Sequence, residues 1–157
     1  LHKSMVTGNL HRNFMGYTAS KTQLMVGLGM SAISDSWYAF AQNVKSVEEY
    51  QHLVQNNIIP IFRGHILTDE DQIVRKHILN LMCHFKTSWD ESNLYFPELV
   101  SAMEKLEEME SDGLVKISHN EICVTENGRP FIRNICMAFD VLLQRKEPET
   151  RLFSMTV

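Results

Sequence analysis

"DGLVKISHNEICVTENGRPFIRN", residues 112–134, decides the fold class of this 157-residue chain. Asp112-Gly113 is a helix stop, because glycine reaches the left-handed conformation that closes a helix C-terminus without steric cost. "LVKI" and "ICVT" are then two short β-branched runs separated by the turn residues "SHNE", the pattern of a hairpin. Thr125 stands where it caps a last helix with apolar positions Phe131, Ile132, Ile135, Phe139 and Leu142. On the N-terminal side a helix is expected from about Leu94 to Ser111, turning Leu99, Val100, Met103, Leu106 and Met109 inward. Helix, hairpin, helix is the pattern of a winged-helix-like module. Together with the helices upstream it predicts a mainly α chain of the α+β class.

Working back toward the N-terminus, "TDED" at 68–71 opens another helix with a Thr cap and three acids at the positive helix end. Its stripe is Ile73, Val74, Ile78, Leu81, Met82 and Phe85. "SVEE" at 46–49 is a capping box in which the Ser46 hydroxyl accepts from the Glu49 N–H while Glu49 reaches back. That helix carries Val47, Tyr50 and Val54 on one face and ends at "NNIIP". Residues 1–43 are glycine- and polar-rich and read as loop plus one short buried strand at "QLMVGLGM", 23–30. The expected division is therefore 1–43 and 44–157.

Composition excludes several classes. With 44% hydrophobic and 22% charged residues the chain is of ordinary globular make-up, and its net charge of −4 opposes a nucleic-acid surface spread over the whole chain. The helix before the hairpin is the element a winged-helix DNA binder would use. Yet residues 93–112 hold six acidic residues against Lys105 alone, a net of −5 that phosphate would repel. No apolar run reaches the roughly 18 residues needed to cross a bilayer. The three cysteines, Cys83, Cys123 and Cys136, have no C-x-x-C spacing and predict free thiols and a cytoplasmic location. The start at Leu1-His2-Lys3, without an initiator Met, predicts a piece of a longer protein.

"GLGMSA", 27–32, matches the glycine pattern of a dinucleotide loop after the apolar run "QLMV". The reading fails on context, since Glu48 and Glu49, at the spacing of a ribose acid, open a helix and no strand is expected between 33 and 48. A segment for close backbone packing or ligand approach remains. No His or Cys pair has metal-ligand spacing; His77 lies on an apolar stripe as a core or edge histidine, and Cys123 and Cys136 read as small buried hydrophobes. Arg12, Arg63 and Arg133 carry forks suited to carboxylate or phosphate.

The pieces "NFMGYT", "GLGMSAIS", "FRGHILTDED" and "GRPFIRNICMAFD" occur in that order in a chain that resembles the oxygen-independent coproporphyrinogen III oxidase family from about Leu10 onward. The resemblance implies a radical S-adenosylmethionine enzyme that oxidatively decarboxylates two propionates of coproporphyrinogen III to vinyl groups in haem biosynthesis. Its [4Fe–4S] cluster sits on a C-x-x-x-C-x-x-C motif in an open α/β barrel. That motif does not occur here, so the resemblance implies a C-terminal part, inactive alone and binding neither cofactor independently, with 1–43 a remnant of the barrel edge. It also implies that Ile33 lies against S-adenosylmethionine. Gly27 and Gly29 would line that approach, and Asn13, Tyr17, Arg63 and Arg133 are candidates for the propionates. The implied partners are the substrate and the missing barrel, with no nucleic acid or membrane; the whole enzyme is expected to be monomeric and the part alone to self-associate. The alternative is a winged-helix DNA-binding regulator or interaction module.

Overall fold

The computed structural model describes residues 1–89 and 97–140, and of 97–100 the backbone alone. The chain is α+β and divides into two compact units, 1–72 and 73 onward, the division falling in the first turn of a helix.

The first unit starts with a short helix α1 (His2–Val6) and a hairpin of β1 (His11–Asn13) and β2 (Gly16–Thr18). A four-stranded antiparallel sheet follows, in the order β3 (Leu24–Met25), β4 (Ile33–Ser36), β5 (Ala39–Asn43) and β6 (Ile61–Ile66). Two expectations are thereby corrected: residues 1–43 hold five strands rather than one, and β4 and β5 occupy the stretch thought to be free of strands. The strands were hidden because β4 and β5 bury residues without alternation and are joined by Trp37-Tyr38, which carries no turn residue. The dinucleotide reading still fails, now on firmer ground. The glycine segment runs into a strand, not into the helix N-terminus that a pyrophosphate requires. The sheet also spans the 43/44 division read from sequence, because β6 returns to pair with β5.

Helix α2 (Val47–Gln55) begins as read, with the Ser46 hydroxyl accepting from the Glu49 N–H at 3.2 Å, but that hydroxyl donates to Glu48 at 2.7 Å and Glu49 does not close the box. Val47 and Val54 are each 46% exposed, so the face they share is not a core face. The reciprocal cap belongs to α3 (Asp69–His84): Thr68 Oγ1 accepts from the Asp71 N–H at 3.2 Å, and Asp71 Oδ2 accepts from the Thr68 N–H at 2.9 Å.

The second unit is built on the α3 stripe. Leu81 and Met82 are buried and Ile73, Val74 and Ile78 pack beside them, joined by Leu106 of α4 (Pro97–Ser111), Ile122, Ile135 and Phe139. Met103 and Met109 are partly buried, while the side chains of Leu94, Leu99, Val100 and Leu142 lie outside the described residues. Gly113, at φ +73°, closes α4 with the Leu114 N–H bonded to the Met109 carbonyl and its own N–H to that of Glu110. The expected hairpin is β8 (Val115–Ser118) and β9 (Glu121–Val124), and an unread strand β7 (Lys86–Ser88) pairs with β9 to give the order β7-β9-β8.

Thr125 caps the turn after the hairpin, accepting from the Gly128 N–H at 3.1 Å, rather than the helix itself; a 3₁₀ turn (Arg129–Phe131) precedes α5 (Ile132–Met137). Phe131 is 48% exposed and not a core residue, since the 3₁₀ turn rotates it away from the face that buries Ile135. Cys83 and Cys136 are buried; Cys123 is only half-buried, its Sγ 3.3 Å from a Glu121 oxygen. His77 is the satisfied core histidine expected, 2% exposed, with Nδ1 2.8 Å from Thr87 Oγ1 and its ring stacked on Phe139.

Candidate functional site

Register builds the site in the first unit. Ile33 on β4 is the direct partner of Gln42 on β5, and Gln42 is the direct partner of Arg63 on β6; Phe40 and His65 are partners in the next like-facing row. Direct antiparallel partners project to one side of a sheet, as do residues two apart on a strand. Ile33, Gln42, Arg63, Phe40 and His65 therefore stand on one face. With Phe14 from the β1–β2 turn they line a cavity of about 290 Å³. Phe14 meets Phe40 edge to face, ring centres 5.0 Å apart.

The polar side of the cavity is held by short contacts. Arg63 Nε donates to Gln42 Oε1 at 2.9 Å, and Gln42 Nε2 donates to the Ser31 carbonyl at 3.3 Å. His65 Nε2 lies 3.1 Å from Asp71 Oδ2, which also accepts from the Thr68 hydroxyl at 3.0 Å. Burial alone would raise the Asp71 carboxyl, but the Thr68 N–H and hydroxyl and the His65 ring outweigh it and hold the group below its usual range. Asp71 is therefore an anion that fixes the imidazole.

Beside this face runs the glycine segment. Asn43, 6% exposed, donates through Nδ2 to the carbonyls of Gly27 at 3.1 Å and Gly29 at 2.9 Å. The Gly29 N–H donates to Tyr50 Oη, and the Gly27 N–H to Ser34 Oγ, each at 3.0 Å. A Cβ on Gly27 would lie 2.7 Å from the Ile33 carbonyl oxygen, and Gly29 has φ +99°. The first glycine is thus required by close approach and the second by conformation. Gly27 brings the segment against the main chain of Ile33.

Of the residues singled out from sequence, the fold brings Ile33 and Arg63 to one cavity, sets Gly27 next to Ile33, and ties Gly29 to Asn43 and Tyr50. Asn13 and Tyr17 belong to the hairpin: Asn13 Oδ1 accepts from the Met15 N–H at 2.9 Å, and Tyr17 lies under the Arg12 guanidinium at 5.6 Å. Neither lines the cavity. Arg133 is exposed on α5, in the other unit. Sequence reading missed Phe14, Phe40, Gln42, Asn43 and His65. The alternation in "AFAQN" and "FRGHI" pairs Phe40 with Gln42 and Arg63 with His65, but only once both stretches are known to be strands.

An apolar cavity with a cationic edge suits a ligand with a flat apolar body and an acidic arm. The solved structure of coproporphyrinogen III oxidase from Escherichia coli, described as a radical SAM enzyme, matches with a TM-score of 0.79 at 35% identity, over 90% of this chain and 34% of that one. Among curated proteins the chain is similar to oxygen-independent coproporphyrinogen III oxidase of Salmonella typhimurium, 39% identical over 144 residues, 88% of this chain and 32% of the relative. The Synechocystis protein of the same name is 35% identical over 162 residues, 96% of this chain and 34% of its own. The chain thus spans about a third of the length of these relatives. No family model matches.

Proposed function

We propose that the chain is the C-terminal part of an oxygen-independent coproporphyrinogen III oxidase and closes one side of its active site. The observation that carries this reading is the cross-strand row Ile33–Gln42–Arg63, an apolar wall and a cation joined by one amide within a segment similar to such oxidases. Ile33 suits the adenosyl part of S-adenosylmethionine, and Gly27 and Gly29 allow the backbone to come close beside it. The cluster does not fit this chain: Cys83 and Cys136 are core residues, and among the described residues no three His, Cys, Asp or Glu side chains gather. We assign it to the rest of the protein. Bound there, the cluster and S-adenosylmethionine would supply the radical chemistry that the propionates undergo.

This chain's own part is to bind and to exclude water. Arg63 is the substrate-facing cation. Asn13, Tyr17 and Arg133 remain substrate candidates on side-chain chemistry alone. We further read 1–43 as the edge of the barrel; Met15 and Leu28, 86% and 85% exposed, are surface for the missing two thirds to cover, and would drive self-association without it. The α3–β7–α4–β8–β9 order suits a winged-helix-like module, in which the acidic α4 is not a DNA-reading helix. Three free cysteines fit a cytoplasmic protein, and no described helix is long and apolar enough to cross a membrane.

The test is an anaerobic assay of the complete protein, with cluster reconstituted and a one-electron reductant and an electron acceptor supplied, on coproporphyrinogen III and S-adenosylmethionine. Protoporphyrinogen IX and two equivalents of carbon dioxide are expected. A complete protein that carries the cluster, cleaves S-adenosylmethionine and leaves this porphyrinogen unchanged would sink the reading.

A further inference from the structure

The edge of the cavity carries a second polar group that the reading above leaves without a task. We infer that His65 and Arg63 form a two-point carboxylate site at the mouth of the Phe14–Phe40 cavity, with Asp71 as the positioning residue for the imidazole. The inference takes from the proposed function only the identity of the ligand, one propionate arm of the substrate.

Four observations carry it. Arg63 and His65 are two apart on β6, project to the same face, and both line the cavity. Arg63 is aimed but not neutralised: its Nε is committed to Gln42, and among the described residues no carboxylate pairs with it, which leaves the paired Nη–H edge for an acid. His65 is held at one nitrogen by Asp71, itself fixed by the Thr68 N–H and hydroxyl. Its Nδ1 has no protein partner among the described residues and is the ring atom left for a ligand. With Nε2 donating to Asp71, Nδ1 is the ring atom that donates to a ligand carboxylate when both nitrogens carry a proton.

The other lining groups are apolar or uncharged, so Arg63 and Asp71 are the charges that face this imidazole from β6 and α3. Asp35 shares the row of Phe40 and His65 but is buried on β4, beyond Phe40, and does not line the cavity. The size is selective as well. About 290 Å³ lies at the small end of ligand pockets, enough for a side arm and part of one ring, not for a whole tetrapyrrole.

Two arms test the site. In the first, the complete protein is titrated with sodium propionate and the His65 ring is followed by NMR, with 1-butanol as the uncharged control. A saturable shift of the His65 Cε1–H with propionate alone is expected, lost in R63M and weakened in R63K. In D71N the imidazole ¹⁵N pattern should move toward the other tautomer, a change that mere loosening of the fold would not give. In the second arm, the complete protein carrying H65F or H65Q should show KM for coproporphyrinogen III raised about tenfold with kcat within twofold.

An unshifted His65 under propionate, or R63M and H65F with the wild-type KM, overturns the carboxylate site. Those results leave the oxidase reading standing. A propionate-induced shift together with a complete protein inert toward the porphyrinogen supports the site and removes the oxidase reading, so the two failures are distinct.

Discussion

His77 should make the second unit acid-labile, by an amount that follows from its surroundings. The ring is 2% exposed, bonded through Nδ1 to Thr87 Oγ1 and stacked on Phe139. Burial, with a smaller push from the neighbouring Lys76 charge, lowers its pKa from 6.5 to about 4. The folded chain thus keeps the neutral imidazole where the unfolded chain already binds a proton. Between about pH 6.5 and 4 the unfolded state holds more protons, so stability falls as the pH falls through that window and is whole above it. At about 1.36 kcal/mol per pKa unit, the shift corresponds to roughly 3 kcal/mol, a large share of a small domain's stability. Urea unfolding of wild type and His77→Phe across pH 4 to 8 isolates the contribution, since the other titrating groups cancel in the difference. The replacement leaves the Thr87 hydroxyl with Asn80 as donor at 3.3 Å, and should cost about 1 kcal/mol at neutral pH. Below pH 6.5 the wild type should lose its advantage and the curves should approach or cross. A wild-type-minus-variant difference that stays level from pH 7 to 4.5 would refute the assignment.

Two further outcomes bear on packing and on the glycine segment. Gly128→Ala should lower stability by about 1–3 kcal/mol or prevent folding, because its Cβ would overlap the Leu114 carbonyl that accepts from Thr125; the midpoint of thermal unfolding is the measurement, and a change within 2 °C would contradict it. Asn43→Ala strips the amide donor from the Gly27 and Gly29 carbonyls and should cost about 1–3 kcal/mol. It should also speed amide exchange at Gly27 and Gly29 more than in α5, whereas uniform exchange would argue against a local clasp.

Much of the second unit was legible in the chain. The α3 stripe from Ile73 to Met82, the Gly113 stop and the β8–β9 runs are local patterns in which each residue declares its own geometry, and they folded as read; Phe85, read as the last stripe position, lies past the helix end at φ +58°. The first unit was not legible in the same way. β6 is an edge strand whose residues are all exposed, so "IFRGHI" shows no burial rhythm, and "FRGH" stood out only for its arginine. Likewise Ser46 and Glu49 spelled a reciprocal cap that Glu48 took instead, while the closed reciprocal pair formed at Thr68 and Asp71. Both sequences fit the motif, and the competing acceptor in space chose between them.

From the sequence alone came the α+β class, the histidine on the α3 stripe, the glycine segment's fitness for close approach, the resemblance that singled out Ile33, and the side-chain chemistry that singled out Arg63. These rest on residue type, period and order, which are properties of the chain itself. Only the tertiary structure decided that Ile33 and Arg63 line one cavity. They are thirty residues apart in the chain, and the link is two successive strand registers with Gln42 between them. A slip of one residue in either register would turn a partner to the opposite face. The same pairing brought His65 beside Arg63 and left Asn13 and Tyr17 to their own hairpin.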